Sequence, residues 1–145
     1  MKKILLVVSI TGFMFAEGKI GGVTYFDYSN TEKISGFNFQ RQYFGYGADV
    51  SDQVSFKILF DVGRNAPDTR LSAYLKKAQI NYKSSLGKFN FGLIGMNTYA
   101  VQESNWGYRF IEKSAIDKNE FSATADIGVG FSRSLIDNLN LSLLF

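Results

Sequence analysis

The chain has no cysteine and no histidine, and Pro67 is its single proline. Without cysteine there is no disulfide framework to find. Without histidine the usual serine–histidine hydrolase machinery and imidazole metal sites are excluded from these residues. Long apolar runs are also missing. Nothing after residue 16 approaches the roughly 18 uninterrupted apolar residues of a membrane-spanning helix. Nor is there a large excess of one charge, because 16 basic residues stand against 13 acidic ones. That balance lacks the electrostatic footprint of a nucleic-acid binder, and no nucleic-acid partner is expected. What remains is a chain rich in aromatic residues and glycine, a composition that suits sheets joined by tight turns.

The N-terminus reads Met1-Lys2-Lys3 followed by a mostly apolar run, Ile4 to Ala16, before Glu17. Two positive charges, a short apolar core and a small residue are the layout of a secretory signal peptide. Residues 1–16 are therefore expected to direct export, with cleavage after Ala16. Export without a helical anchor leaves periplasm, secretion, or insertion as a closed barrel.

Gln53–Gly63 organises the rest. Val54, Phe56, Ile58, Phe60 and Val62 are apolar, while Gln53, Ser55, Lys57, Asp61 and Gly63 alternate with them, Leu59 being the exception. A period of two puts one set on each face of a strand. Similar alternation predicts strands over 19–28, 37–50, 71–83, 88–96, 122–133 and, from Leu139, 139–145. Within 71–83 the parity changes, because Leu71, Ala73 and Leu75 are out of step with Ala78, Ile80 and Tyr82. A β-bulge near Leu75–Lys76 is expected.

The intervening connections, 29–35, 51–52, 64–70, 84–87, 97–121 and 134–138, alternate between longer and shorter. Up-and-down barrels of outer membranes do this, with short turns at one end and longer loops at the other. The expected fold class is all-β, an antiparallel up-and-down transmembrane β-barrel. Its odd strand number reads as the N-terminal part of a larger barrel spanning 17–145, incomplete in this chain.

Segment 97–121 is longer than a connection needs and carries Tyr99, Val101, Trp106, Tyr108, Phe110 and Ile111. It is expected to fold into the barrel and narrow it, anchored on the inner wall by Trp106, Tyr108 and Phe110. Ser104 is expected to cap a helix over 106–117, with Arg109 and Lys113 four apart on one face. Candidate pore-lining and constriction residues are Arg41, Lys57, Asp61, Lys77 and Asp126 on the wall, and Glu103, Arg109, Glu112 and Lys113 on the loop. Parity adds Asp49, Gln79, Asn81 and Thr124 to that polar stripe. Rings of charge tune which ions pass, and the mixture predicts at most a weak anion preference. Tyr25, Phe26, Tyr28, Tyr43, Phe44, Tyr46, Tyr82 and Phe131 are candidates for interfacial girdles.

The stretches Ala73-Tyr74-Leu75 through Tyr82, Leu86-Gly87-Lys88 through Gly92, Phe110-Ile111-Glu112-Lys113-Ser114 and Asp126-Ile127-Gly128-Val129-Gly130 carry a resemblance. Over roughly residues 40–130 the chain resembles outer-membrane porins, most nearly the phosphate-selective porin O and P family. The resemblance implies a trimer of sixteen-stranded barrels, hence a homotrimer in outer-membrane lipid, passing small hydrophilic solutes or anions. Asn97-Thr98-Tyr99 stands where the family often has a Pro-Phe-Gly-like turn, and no arginine ladder is evident, so phosphate selectivity is not implied. Passive diffusion without catalysis, metal or cofactor is the expected function. The alternative is a non-channel exported β-protein, such as a surface adhesin or a periplasmic β-sandwich binding protein.

Overall fold

The computed structural model describes residues 17–30, 35–64, 70–137 and 139–145. The signal-peptide expectation therefore lies outside the described residues, as do parts of the connections at 31–34, 65–69 and 138. Seven strands form one antiparallel sheet in chain order: β1 (Lys19–Asn30), β2 (Ser35–Asp49), β3 (Val54–Gly63), β4 (Ser72–Lys83), β5 (Lys88–Gly95), β6 (Ala125–Ile136) and β7 (Leu139–Leu144). Each strand pairs with its sequence neighbours, and β1 and β7 each have one partner, so the described sheet is open.

β1, β2 and β6 run past an expected end: β1 and β2 continue pairing to Asn30↔Ser35, and β6 reaches Ile136. β6 also starts later than expected, at Ala125, and the remaining strands each fall one residue short of the expected bounds. Connections at one end are 31–34, 64–71 and 96–124; at the other they are 50–53, 84–87 and 137–138. The first connection is thus shorter than expected, but the longer segments still gather at one end. The expected two-residue turn at Ser51-Asp52 is a wider one, in which the amides of Val50 and Ser51 both donate to Val54 O at 2.7 and 3.1 Å. Ser51 Oγ accepts from the Val54 amide at 3.1 Å, a local side-chain bond that stabilises the turn.

Cross-strand register sorts the side chains onto two faces. Phe44↔Phe60, Tyr46↔Ile58 and Ala48↔Phe56 lie on one; Tyr43↔Asp61 and Gly47↔Lys57 lie on the other. The apolar face continues through Ile80↔Phe91, Phe91↔Val129 and Phe131↔Leu143, so it crosses from β2 to β7. Nothing among the described residues covers it. Phe37 is 82% exposed, Ile127 81% and Ile20 72%. Buried apolar residues in the described part are few: Ala48, Ile94 and Tyr99. Aromatic pairs bind neighbouring strands on this face, Tyr28 against Phe37 at 5.2 Å and Phe89 against Phe131 at 5.0 Å between ring centroids. Such cross-strand pairs each contribute about 0.5–1.5 kcal/mol beyond area burial.

The register shifts at three places, one of them between β6 and β7, where Ser134 pairs with Asn140 and Ile136 with Leu139. Between β1 and β2, Tyr25 pairs with Arg41 and Phe26 with Phe39, leaving Gln40 as the extra residue. Between β3 and β4, Leu59 pairs with Lys77 and Phe60 with Leu75, leaving Lys76. The parity change in the sequence located this β4 bulge.

Candidate functional site

The β4 bulge at Lys76 builds the centre of the polar face. A regular strand would send Lys76 and Lys77 to opposite sides, whereas the extra residue brings both side chains to the polar one. There Lys76 Nζ meets Asp61 Oδ2 at 3.1 Å, beside Arg41 Nη1 at 3.2 Å and the Tyr74 hydroxyl, which donates to the same oxygen at 2.7 Å. The Asp61 side chain is fully buried, and its Oδ1 has no hydrogen-bond partner among the described residues. Burying a carboxylate is costly unless opposite charges and donors surround it, and here two cations and a phenol converge on one oxygen. Tyr43 adds a ring 4.6 Å from Lys76 Nζ and an edge contact to Tyr25.

Lys77 runs the other way, towards β5. A Cβ built on Gly95 would lie 2.6 Å from Lys77 Nζ, so the ammonium rests over that glycine. Gly63 leaves similar room for the Arg41 guanidinium, whose Nε would be 3.2 Å from such a Cβ. Gly92 is required for a different reason: its φ of +107 and a 2.4 Å approach to Ala78 O exclude any side chain.

The long connection folds against this polar face. It contains α1 (Asn97–Trp106) and α2 (Ala115–Lys118), with Gly107 at φ 67 ending α1 in the left-handed conformation. The helix therefore lies upstream of the expected 106–117, and Arg109 and Lys113 sit in the irregular stretch between the two helices. Ser104 is in the last turn of α1 rather than at its start, donating back to Val101 O at 2.9 Å. The anchor also differs. Tyr99 is 6% exposed and Arg109 lies over the Tyr25 ring at 5.5 Å, whereas Trp106, Tyr108 and Phe110 are exposed and pack on one another. Asn97 Nδ2 donates to Ser142 Oγ of β7 at 2.8 Å. Segment 96–124 thus contacts β7 at one end and β1 through Arg109.

A cavity of about 340 Å³ remains between segment and sheet, lined by Lys76, Lys77 and Tyr43 from the wall and by Tyr99, Glu103, Arg109 and Asp117 from the loop. A second space of about 620 Å³ lies further along the polar face, where Lys57, Asp49 and Asn81 line it together with Gly45 and Gly47. The nine sequence candidates separate accordingly. Arg41 and Asp61 form the buried cluster; Lys77, Glu103 and Arg109 line the smaller cavity; Lys57 lines the larger one. Asp126 stands opposite Ile94 on the same face, its Oδ1 accepting from the Ile127 amide at 2.8 Å. Glu112 and Lys113 line a space within the loop itself. There Lys118 Nζ at 2.8 Å and the Lys113 amide at 2.9 Å hold the Glu112 carboxyl below its ordinary range.

Of the girdle candidates, Tyr25 and Tyr43 are on the polar face, where they receive Arg109 and Lys76. Phe26, Tyr28, Phe44, Tyr46, Tyr82 and Phe131 share the apolar face. Lys76, Tyr74, Tyr99 and Asp117 join the site without having been among its sequence candidates. The one available signal for them was the Lys76-Lys77 pair at the parity break. Metal-holding groups of three or more acidic residues are absent among the described residues. No family model, curated protein or solved structure matches this chain.

Proposed function

We propose that this chain is part of an outer-membrane β-barrel porin, related to the phosphate-selective porin O and P family. It would give passive diffusion of small hydrophilic solutes and ions through a water-filled lumen, without catalysis. The observation carrying this reading is the segregation of the sheet: one face is apolar and left uncovered by the described residues, and the other holds a buried ion cluster. Exposed apolar surface on this scale is an aggregation liability in water but a matched surface in lipid. Antiparallel pairing already satisfies the ladder within the sheet, and the unpaired edges of β1 and β7 would be paired in a closed barrel. Closure by further strands, export through residues 1–16 and assembly as a homotrimer belong to the same proposal.

Segment 96–124 bears on the competing reading. A soluble sandwich or adhesin would use its longest connection, or a second sheet, to cover the apolar face. Here that connection lies on the polar face and leaves the apolar one bare. In a barrel the same placement narrows the lumen. Arg41, Lys57, Lys76, Lys77 and Arg109 stand against Asp49, Asp61, Glu103, Asp117 and Asp126, and with Asp61 buried between two cations at most a weak anion preference is the expected selectivity.

The deciding experiment is planar-bilayer recording of the full-length protein. Stepwise channels with a slight anion-directed reversal potential are expected in a salt gradient. Verified folding into vesicles without any conductance steps would overturn the reading.

A further inference from the structure

We infer that the 340 Å³ cavity between the polar face and segment 96–124 is a subsite for small zwitterions of the α-amino-acid class, with Lys77 receiving the carboxylate and Glu103 and Asp117 the ammonium. Access of solute to the cavity rests on the diffusion reading above; recognition within it rests on the charges alone.

The cavity has two poles. On the sheet side the charged groups beside Lys77 are Lys57 and Lys76. Lys76 is tied to Asp61 at 3.1 Å and shares that single carboxylate with Arg41, while Lys77 Nζ lies over Gly95 with no carboxylate within ion-pair distance among the described residues. On the loop side stand two carboxylates on different helices. Glu103 of α1 accepts from Ser114 Oγ at 3.0 Å, and Asp117 of α2 accepts from the Tyr99 hydroxyl at 3.5 Å, each through one oxygen. Both are neighbours of the buried Tyr99 ring, so the negative pole is fixed to the loop's anchor. Arg109, the remaining cation on the loop side, is directed over Tyr25.

A simple carboxylate entering this space gains Lys77 but meets Glu103 and Asp117. A simple ammonium gains the acids but meets Lys77. A molecule carrying both charges satisfies both poles at once, and repulsion from the wrong pole rejects either half alone. Leu59, Met96 and Tyr43 supply an apolar wall for a side chain, and the volume is at the lower end of the range for small-molecule sites, about 300–1,000 Å³.

The test titrates L-leucine, leucinamide and 4-methylpentanoate against the full-length protein, as block of single-channel conductance and as calorimetric heat in detergent. L-leucine is expected to act at least about tenfold more strongly than either half-molecule. Lys77→Gln and Asp117→Asn should each remove most of that advantage. Gly95→Ala, which keeps every charge but displaces the Lys77 ammonium, should weaken L-leucine several-fold. Equal responses to the three compounds, or an advantage untouched by Lys77→Gln and Gly95→Ala, would overturn the inference while leaving the porin reading intact. If no channels form, the diffusion reading fails and the calorimetric arm still decides the subsite.

Discussion

Lys76 Nζ and Asp61 Oδ2 lie 3.1 Å apart, and a regular β4 strand would not bring them together. Lys76 is the residue by which β4 exceeds its partner, since Leu59↔Lys77 is followed directly by Phe60↔Leu75. The bulge supplies the buried carboxylate with a second cation besides Arg41, and it places Lys77 on the same face to line the loop cavity. One inserted residue thus joins the integrity of the wall to the charge of the space beside it.

Asp61→Asn should destabilise the folded protein by about 3 kcal/mol, because Arg41 and Lys76 would then be left half-buried without a counter-charge. The urea midpoint of the full-length protein in phospholipid vesicles measures this. A shift near zero would mean that water compensates both cations in place.

Deleting Lys76 should be tolerated about as well as Lys76→Gln. Without the extra residue Leu75 and Lys77 become consecutive, so 72–75 keep both their face and their partners on β3, and each variant loses the second cation on Asp61. The yield of protease-resistant, membrane-inserted protein compares them. A far lower yield from the deletion would show that the bulge geometry itself, beyond the ion pair, holds the strand.

Ile58→Arg, near the middle of β3 on the uncovered face, should cost about 2–4 kcal/mol in a bilayer, while Lys57→Gln on the opposite face should cost little. The pair is compared by reversible unfolding from vesicles. Similar effects at both positions would argue against lipid contact at Ile58.

Removing Gln102–Lys118 should raise single-channel conductance, since this segment carries Glu103, Arg109 and α2 over the polar face. Arg109→Ala should act in the same direction but weakly, as the loss of one cation–π contact of about 0.5–1 kcal/mol. Conductance unchanged by the deletion would place the segment at the rim rather than across the lumen.

The strands, their order of faces and the β4 bulge could be read from residue types alone, because a period of two records which face a side chain occupies. Val54, Phe56, Ile58, Phe60 and Val62 announced the uncovered face, and the parity break announced Lys76. Parity says nothing about which groups meet across strands. The convergence of Arg41, Tyr74 and Lys76 on one oxygen of Asp61 needed the register. Local signals misplaced the loop helix. Ser104 resembles an N-cap, and Trp106, Tyr108 and Phe110 look like anchors by hydrophobicity. Contact with the wall decided otherwise: burial of Tyr99 and the reach of Arg109 to Tyr25 fix the segment, and Gly107 ends the helix after Trp106, before Tyr108 and Phe110. A loop's conformation depends on the surface it lands on, and that surface is assembled from strands distant in the chain.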